Sequence, residues 1–212
     1  MAQTSIIQHP MTILIIGMRG SGKTALGMVF AENFHFHNHD IPVYVMNYPE
    51  DKRHLLPEWV RYSENIEDVP QNAFIIMDEA AYKHHSLMWR KDETLLMQSI
   101  IGRSRQRKQT IIFITHTARK FAITLILELD MLCVKEPSLF HSRFERAEIR
   151  TLLKDVYDEY QKMPLDERKK YTYVFSKNYI GWIQTGLSSF WSDDLSEAWK
   201  DVMIDMPEKN DE

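Results

Sequence analysis

Cysteine is almost missing from this sequence of 212 residues, where Cys133 is the single example. That excludes an internal disulfide and a cysteine-rich zinc site, and it fits a reducing compartment. Long apolar runs are missing as well. No stretch approaches the roughly 20 residues that span a bilayer, and no charged-then-apolar leader opens the chain. The expectation is a soluble intracellular protein with no membrane span. Excess positive charge is also lacking: Lys+Arg 26 against Asp+Glu 30 gives −4. The chain as a whole is therefore not a basic nucleic-acid coat, and any contact with DNA or RNA must come from local patches. Glycine is scarce too, yet three of the seven glycines (Gly17, Gly20, Gly22) fall close together. In so glycine-poor a chain, the cluster marks a place where backbone approaches something closely or takes positive φ.

What is present is ordinary globular composition. An apolar share of 44% and a charged share of 26% exclude wholesale disorder. The length allows one large domain or two very small ones.

Apolar runs rich in β-branched residues predict buried strands at Met11–Ile16, Ile41–Met46, Phe74–Met77 and Ile111–Thr115, with a fifth at Leu129–Val134. Helical patterns lie between them, from Lys23 to about Asn33 and over Asp92–Gln106. Strands apolar on both faces and alternating with helices predict a mostly parallel sheet covered on each side, an α/β fold. The last third differs. Leu152, Leu153, Val156, Tyr157 and Tyr160 predict an apolar helical stripe, and Tyr171–Gly186 predicts a β-hairpin turning near Lys177-Asn178. Ser192 reads as an N-cap followed by Asp193 and Asp194, with Leu195, Trp199 and Val202 on one face. We read residues 1–212 as one domain, with a core at about 11–135 and a C-terminal helix and hairpin appendage at about 145–206.

The glycine cluster carries chemistry. Gly17-Met18-Arg19-Gly20-Ser21-Gly22-Lys23-Thr24 fits G-x-x-x-x-G-K-[ST], the Walker A pattern, between a predicted strand and a predicted helix. Small residues (Gly17, Gly20, Ser21, Gly22) let backbone N–H groups wrap a β-phosphate, aided by the helix N-terminus. Lys23 reaches the β- and γ-phosphates in such a loop, and the Thr24 hydroxyl ligates Mg²⁺. The third strand then ends in Asp78-Glu79, the Walker B pattern. An acid directly after a buried strand is costly unless it meets a cation. Asp78 is placed to hold the Mg²⁺ shell opposite Thr24, and Glu79 to polarise a water for in-line attack on the γ-phosphorus. The Asp-x-x-Gly and Asn-Lys-x-Asp patterns of GTPases are missing, so the reading is NTP hydrolysis, of ATP in the first place.

The fourth strand ends in Thr115-His116, where ligands bind in open α/β sheets, so either residue can sense the γ-phosphate or attacking water. Before it runs Arg103-Ser104-Arg105-Gln106-Arg107-Lys108. These charges suit either the C-terminal end of a helix or an arginine supplied to a neighbouring subunit's γ-phosphate.

Taken in this order, the motifs from Met11 to Val134 resemble the FtsK–HerA superfamily of ring-forming, DNA-pumping ATPases. The short length resembles the genome-packaging ATPases of tailless icosahedral DNA viruses, those of archaeal turreted icosahedral viruses included. In that superfamily the fourth strand usually ends in Thr-Gln, with an arginine eleven residues before the Gln. Here His116 holds the Gln position and Arg105 stands eleven back. The resemblance implies a RecA-like P-loop NTPase sheet in the order 5-1-4-3-2, ATP with Mg²⁺, and self-association into a ring. It also implies double-stranded viral DNA and capsid or vertex proteins as partners, in the host-cell cytoplasm and on the virion. The implied function is ATP-driven packaging of DNA into a capsid. The alternative is a non-translocating morphogenesis or secretion NTPase resembling the filamentous-phage assembly proteins.

Three weaker signals complete the sequence. His35, His37 and His39 alternate in a stretch expected to be a polar loop, with metal binding as a minor alternative. Trp182, Phe190, Trp191 and Trp199 are expected to pack rather than stack on bases. Lys83, His84 and His85 follow the acidic pair, where a pore loop would lie.

Overall fold

The computed structural model describes residues 6–78, 99–118, 126–145 and 147–198. Among them a single sheet forms from β1 (Thr12–Ile16), β2 (Val43–Met46), β3 (Val60–Ser63), β4 (Ala73–Asp78), β5 (Gln109–Thr115), β6 (Met131–Val134), β7 (Tyr171–Ser176) and β8 (Ile180–Gln184). Its spatial order is β3-β2-β4-β5-β1-β6-β7-β8. The strands expected from sequence are β1, β2, β4, β5 and β6, and they take the implied order 5-1-4-3-2. Pairing is parallel from β3 through β6, then antiparallel through the hairpin β7–β8. The hairpin thus continues the sheet at the β6 edge. The opposite edge carries β3, a strand the sequence did not announce because Val60-Arg61-Tyr62-Ser63 buries little beyond Val60.

Alternation along the central strands divides the core. Ile13 and Ile15 of β1, Phe74 and Ile76 of β4, and Ile112 and Ile114 of β5 face α1 (Lys23–His37), which contributes Leu26, Phe30 and Phe34. Leu14, Ile16, Ile75, Ile111 and Phe113 face the other way, against Ile100 and Ile101 and against Ile149, Leu153, Val156 and Tyr160. Those last four belong to a helix at Ala147–Gln161, numbered α3 after α2 (Leu139–Phe144). Every residue of β1, β4 and β5 is buried, as both faces being covered requires.

Several local expectations shift. The first helix runs on to His37, because Phe34 adds another buried turn, so His35 and His37 are helical and not in a loop. His35 stacks on Trp59 with ring centres 4.4 Å apart, and His39 meets its edge at 5.3 Å. In α3 the buried stripe is Ile149, Leu153, Val156 and Tyr160, while Leu152 is exposed and Tyr157 only half-buried. Residues 99–104 are helical but 105–108 form a turn, so Arg105 and Arg107 lie beyond that helix. Ser192 does cap the short helix α4 (Asp193–Ser196), its Oγ accepting from Leu195 N at 3.1 Å. Trp182 packs edge-on to Tyr160 and Tyr173, each at 4.9 Å, and Phe190 and Trp191 pack against the α1-side core. Trp199, Val202 and Lys83–His85 lie outside the described residues. Among the described residues no helix is long and apolar enough to cross a membrane.

Candidate functional site

Parallel register brings four strand ends up side by side. Ile16 pairs with Thr115 on one side and Val134 on the other, and Ile114 pairs with Asp78. Gly17, His116, Lys135 and Asp78 therefore emerge along one edge, the carboxyl edge where open α/β sheets bind ligands. The chain turns there through Gly17–Gly22 into α1. Gly22 takes φ +88, a left-handed conformation that favours glycine, and caps α1 without a side-chain bond. At Gly17 (φ +157) an added Cβ would lie 2.9 Å from both Lys135 Cβ and Ser21 Oγ, so only glycine fits. The result is a tight backbone cradle over a helix N-terminus, a shape suited to an anion.

Side chains converge on the cradle. Lys23, 7% exposed, donates from Nζ to Met18 O at 3.0 Å and to His116 Nδ1 at 2.9 Å. Thr24 Oγ1 donates to Asp78 Oδ2 at 2.6 Å, joining α1 to the end of β4. Giving its proton to the carboxylate leaves the hydroxyl's lone pairs free for a cation, and the two hard oxygens suit Mg²⁺. Ser21 Oγ is buried and has no hydrogen-bond partner in the structure. An orphaned hydroxyl inside such a cradle fits an acceptor brought by a ligand, so these residues fit a nucleotide phosphate with Mg²⁺.

Behind His116 the loop is held from α2. His141 Nδ1 accepts from Ser138 N at 3.0 Å, and its ring also hydrogen-bonds the His116 backbone. Burial holds the His141 ring below its usual pKa, against the pull of that backbone bond and of Glu145. Glu145 Oε2 accepts from Thr117 Oγ1 at 2.7 Å and from Ala118 N at 3.3 Å. His141 and Glu145 thus fix the turn that presents His116, and no motif announced either of them.

Sequence reasoning also passed over Lys135 and Glu136, which follow β6 beneath the cradle. Met18 N donates to Glu136 O at 2.9 Å, and Glu136 Oε1 accepts from Arg168 Nη1 at 2.7 Å in a buried ion pair. The signal was present: charged residues directly after a buried strand, the same cue that singled out Asp78.

Of the other expected residues, Glu79 lies outside the described residues. Arg105 stands at the opposite edge of the sheet, its Nη2 2.6 Å from Asp130 Oδ1. Arg103 pairs with Glu67 and Arg107 bonds Val69 O on that same side. Gln109–Thr115 separates them from His116, roughly 20 Å at the rise of a β-strand.

No family model matches this chain, and no curated protein sequence matches it. Solved structures do. The genome packaging NTPase B204 from Sulfolobus turreted icosahedral virus 2, in complex with ATPγS, superposes with a TM-score of 0.53 at 12% identity, covering 84% of this chain and 98% of that one. Its complex with AMPPCP gives 0.55 at 12% identity, over 84% and 99%. The monomer form of the pCW3 conjugation coupling protein TcpA with ATPγS gives 0.53 at 13% identity, over 90% of this chain and 64% of that one. The chain has the mostly parallel, helix-flanked P-loop NTPase fold of these proteins.

Proposed function

We propose that this protein hydrolyses ATP with Mg²⁺ and uses the energy to move double-stranded viral DNA into a capsid, working as a ring in the host cytoplasm. The observation that carries the reading is the convergence of Lys23, Thr24, Asp78 and His116 on one glycine cradle. The likeness of fold to a genome packaging NTPase and a conjugation coupling protein supports DNA transport as the use.

In this reading the backbone from Gly17 to Gly22 binds the β-phosphate and the Ser21 hydroxyl donates to a phosphate oxygen. Lys23 turns from Met18 O and His116 to the β- and γ-phosphates. Thr24 and Asp78 would hold Mg²⁺, which would supply neutralisation of the charge on the phosphates. Glu79 polarises a water, whose oxygen attacks the γ-phosphorus while the bond to the ADP oxygen breaks in line. His116 reads whether the γ-phosphate is present. Arg105 serves the site of the next subunit.

The experiment is ATP turnover with and without double-stranded DNA, on the wild type and Glu79→Gln. The reading expects DNA-stimulated turnover, with Glu79→Gln binding ATP nearly normally but losing most hydrolysis. Absence of turnover in the wild type would sink it. Turnover without any DNA effect at low salt, where electrostatic binding is strongest, would favour the non-translocating morphogenesis or secretion NTPase.

A further inference from the structure

Lys135 is the least expected group near the cradle. It is 1% exposed, among the most fully buried large side chains of the protein. Buried lysines normally pair with an acid. This one instead donates to two backbone carbonyls, Lys169 O at 2.5 Å and Tyr171 O at 3.0 Å. The nearby carboxylate of Glu136 is engaged by Arg168.

Its position matters as much as its burial. The Lys135 Cβ abuts Gly17, and the far end of the side chain runs behind Gly22. A Cβ built at Gly22 would sit 3.6 Å from Lys135 Cε and 3.9 Å from Nζ. The base of the side chain thus lies against Gly17 and its ammonium behind Gly22, the two glycines that bracket the cradle. Lys135 N also donates to Ile16 O at 2.8 Å, pinning the residue where β1 gives way to the loop. A buried cation with no acid partner among the described residues, placed beneath a loop shaped for polyphosphate, finds its missing negative charge in the ligand.

We propose that Lys135 is a second, buried cation of the nucleotide site: a positioning residue that supports the cradle from behind and strengthens its hold on the α- and β-phosphates. It acts through Gly17 and Gly22, and the carbonyls of Lys169 and Tyr171 tie it to the segment entering β7. The inference rests on the reading of Gly17–Thr24 as a nucleotide site and adds to it a residue outside the motif. It also has a thermodynamic signature. Burial has already pushed the Lys135 amine down to about 8, with Cys133 pulling weakly the other way. The other ionisable groups around it are Glu136, Tyr160, Arg168, Lys169, Tyr171 and, across the loop, Lys23. A polyphosphate arriving above the ammonium favours its charged form.

The test is ADP binding by calorimetry without Mg²⁺, on the full chain, for wild type, Lys135→Met and Lys135→Gln. The glutamine keeps a donor for the two carbonyls but no charge. Both variants should bind ADP about tenfold more weakly or worse, whatever happens to their melting temperatures. A merely structural lysine would lower the melting temperature and leave the affinity of the folded protein unchanged, which would overturn the proposal. Should neither variant fold, the wild type decides: binding at pH 8.5 should take up protons, seen as a dependence of the heat on the buffer's ionisation enthalpy. No uptake would overturn the proposal. A wild type that binds no ADP at all would instead remove the nucleotide reading beneath it.

Discussion

Lys23 Nζ lies 2.9 Å from His116 Nδ1, so the loop lysine and the residue just after β5 hold each other. The acceptor on His116 is the ring nitrogen, which fixes the proton on the other nitrogen. In the proposed function a phosphate that draws Lys23 away breaks this bond, which is how His116 would register the γ-phosphate.

The first prediction concerns that pair. His116→Ala should leave ADP affinity within a few-fold of wild type, because the cradle is untouched, but lower ATP turnover by about 10²-fold. His116→Gln, which restores the side-chain type usual in the resembled superfamily, should recover much of the loss. Steady-state rates beside ADP titrations check both. Equal loss of affinity and turnover would reduce His116 to a prop for Lys23.

Asp78→Asn separates charge from shape. The Thr24 hydroxyl can still donate to an amide oxygen, so the 2.6 Å link survives in form. Removing a buried carboxylate costs the free protein little, and its melting temperature should hold or rise. Turnover with Mg²⁺ should fall by at least about 10²-fold while Mg²⁺-free nucleotide binding persists. Retained Mg²⁺-dependent turnover would move the metal away from Asp78.

How much of this site was visible beforehand follows from the physics of each part. The strand-to-helix loop at Gly17–Gly22 and the buried acid ending β4 were legible because clustered glycines and an acid after an apolar run show in the sequence. Their binding of phosphate and Mg²⁺ is the proposal. The strand order was carried by resemblance and not by spacing, since apolar runs such as Ile111–Thr115 say that a strand is buried but not between which neighbours. β3 was missed because an edge strand with one buried residue has no pattern to show. His141 and Glu145 were invisible because they act on His116 from a segment beyond β6, through contacts that only folding creates. Lys135 was recoverable: a lysine directly after Met131–Val134, all buried, breaks the same rule that drew attention to Asp78.

That lysine makes stability and affinity respond oppositely to pH. Its folded value of about 8 lies below the usual lysine value of about 10.4, so between them the unfolded chain binds more protons. Stability of the free protein should therefore gain from this group as pH rises through that window. ADP affinity should fall over the same range, as the ammonium beneath the loop loses its proton. Denaturant melts and ADP titrations from pH 7.5 to 10 check the two trends. In Lys135→Met both contributions should vanish, and a fall in affinity that persists there would point to Lys23 instead.

The final prediction is that Arg105 works in trans. Its own cradle is out of reach, because Gln109–Thr115 carries the chain across the full sheet, roughly 20 Å, before His116 appears. Of the three arginines it is the one most readily lent out. Arg107 is bonded to a backbone carbonyl, and Arg103 is half-covered against Glu67. The Arg105 side chain is 71% exposed, and its surface pair with Asp130 is worth at most about 1 kcal/mol. Breaking that pair to meet a neighbour's γ-phosphate costs little against the 10³–10⁵-fold in rate that such an arginine can supply. Arg105→Ala should therefore fold and bind ADP as the wild type does, yet turn over ATP at least about 10³-fold more slowly. Mixed with Lys23→Ala subunits, equally inactive alone, it should regain partial activity, since each subunit brings what the other lacks. Activity that stays absent in every mixture would rule out the shared site. Normal turnover in Arg105→Ala alongside a dead Arg103→Ala or Arg107→Ala would shift the role along the same turn. Three active variants would leave the basic run as a solvated corner of the sheet, and the ring without its main support.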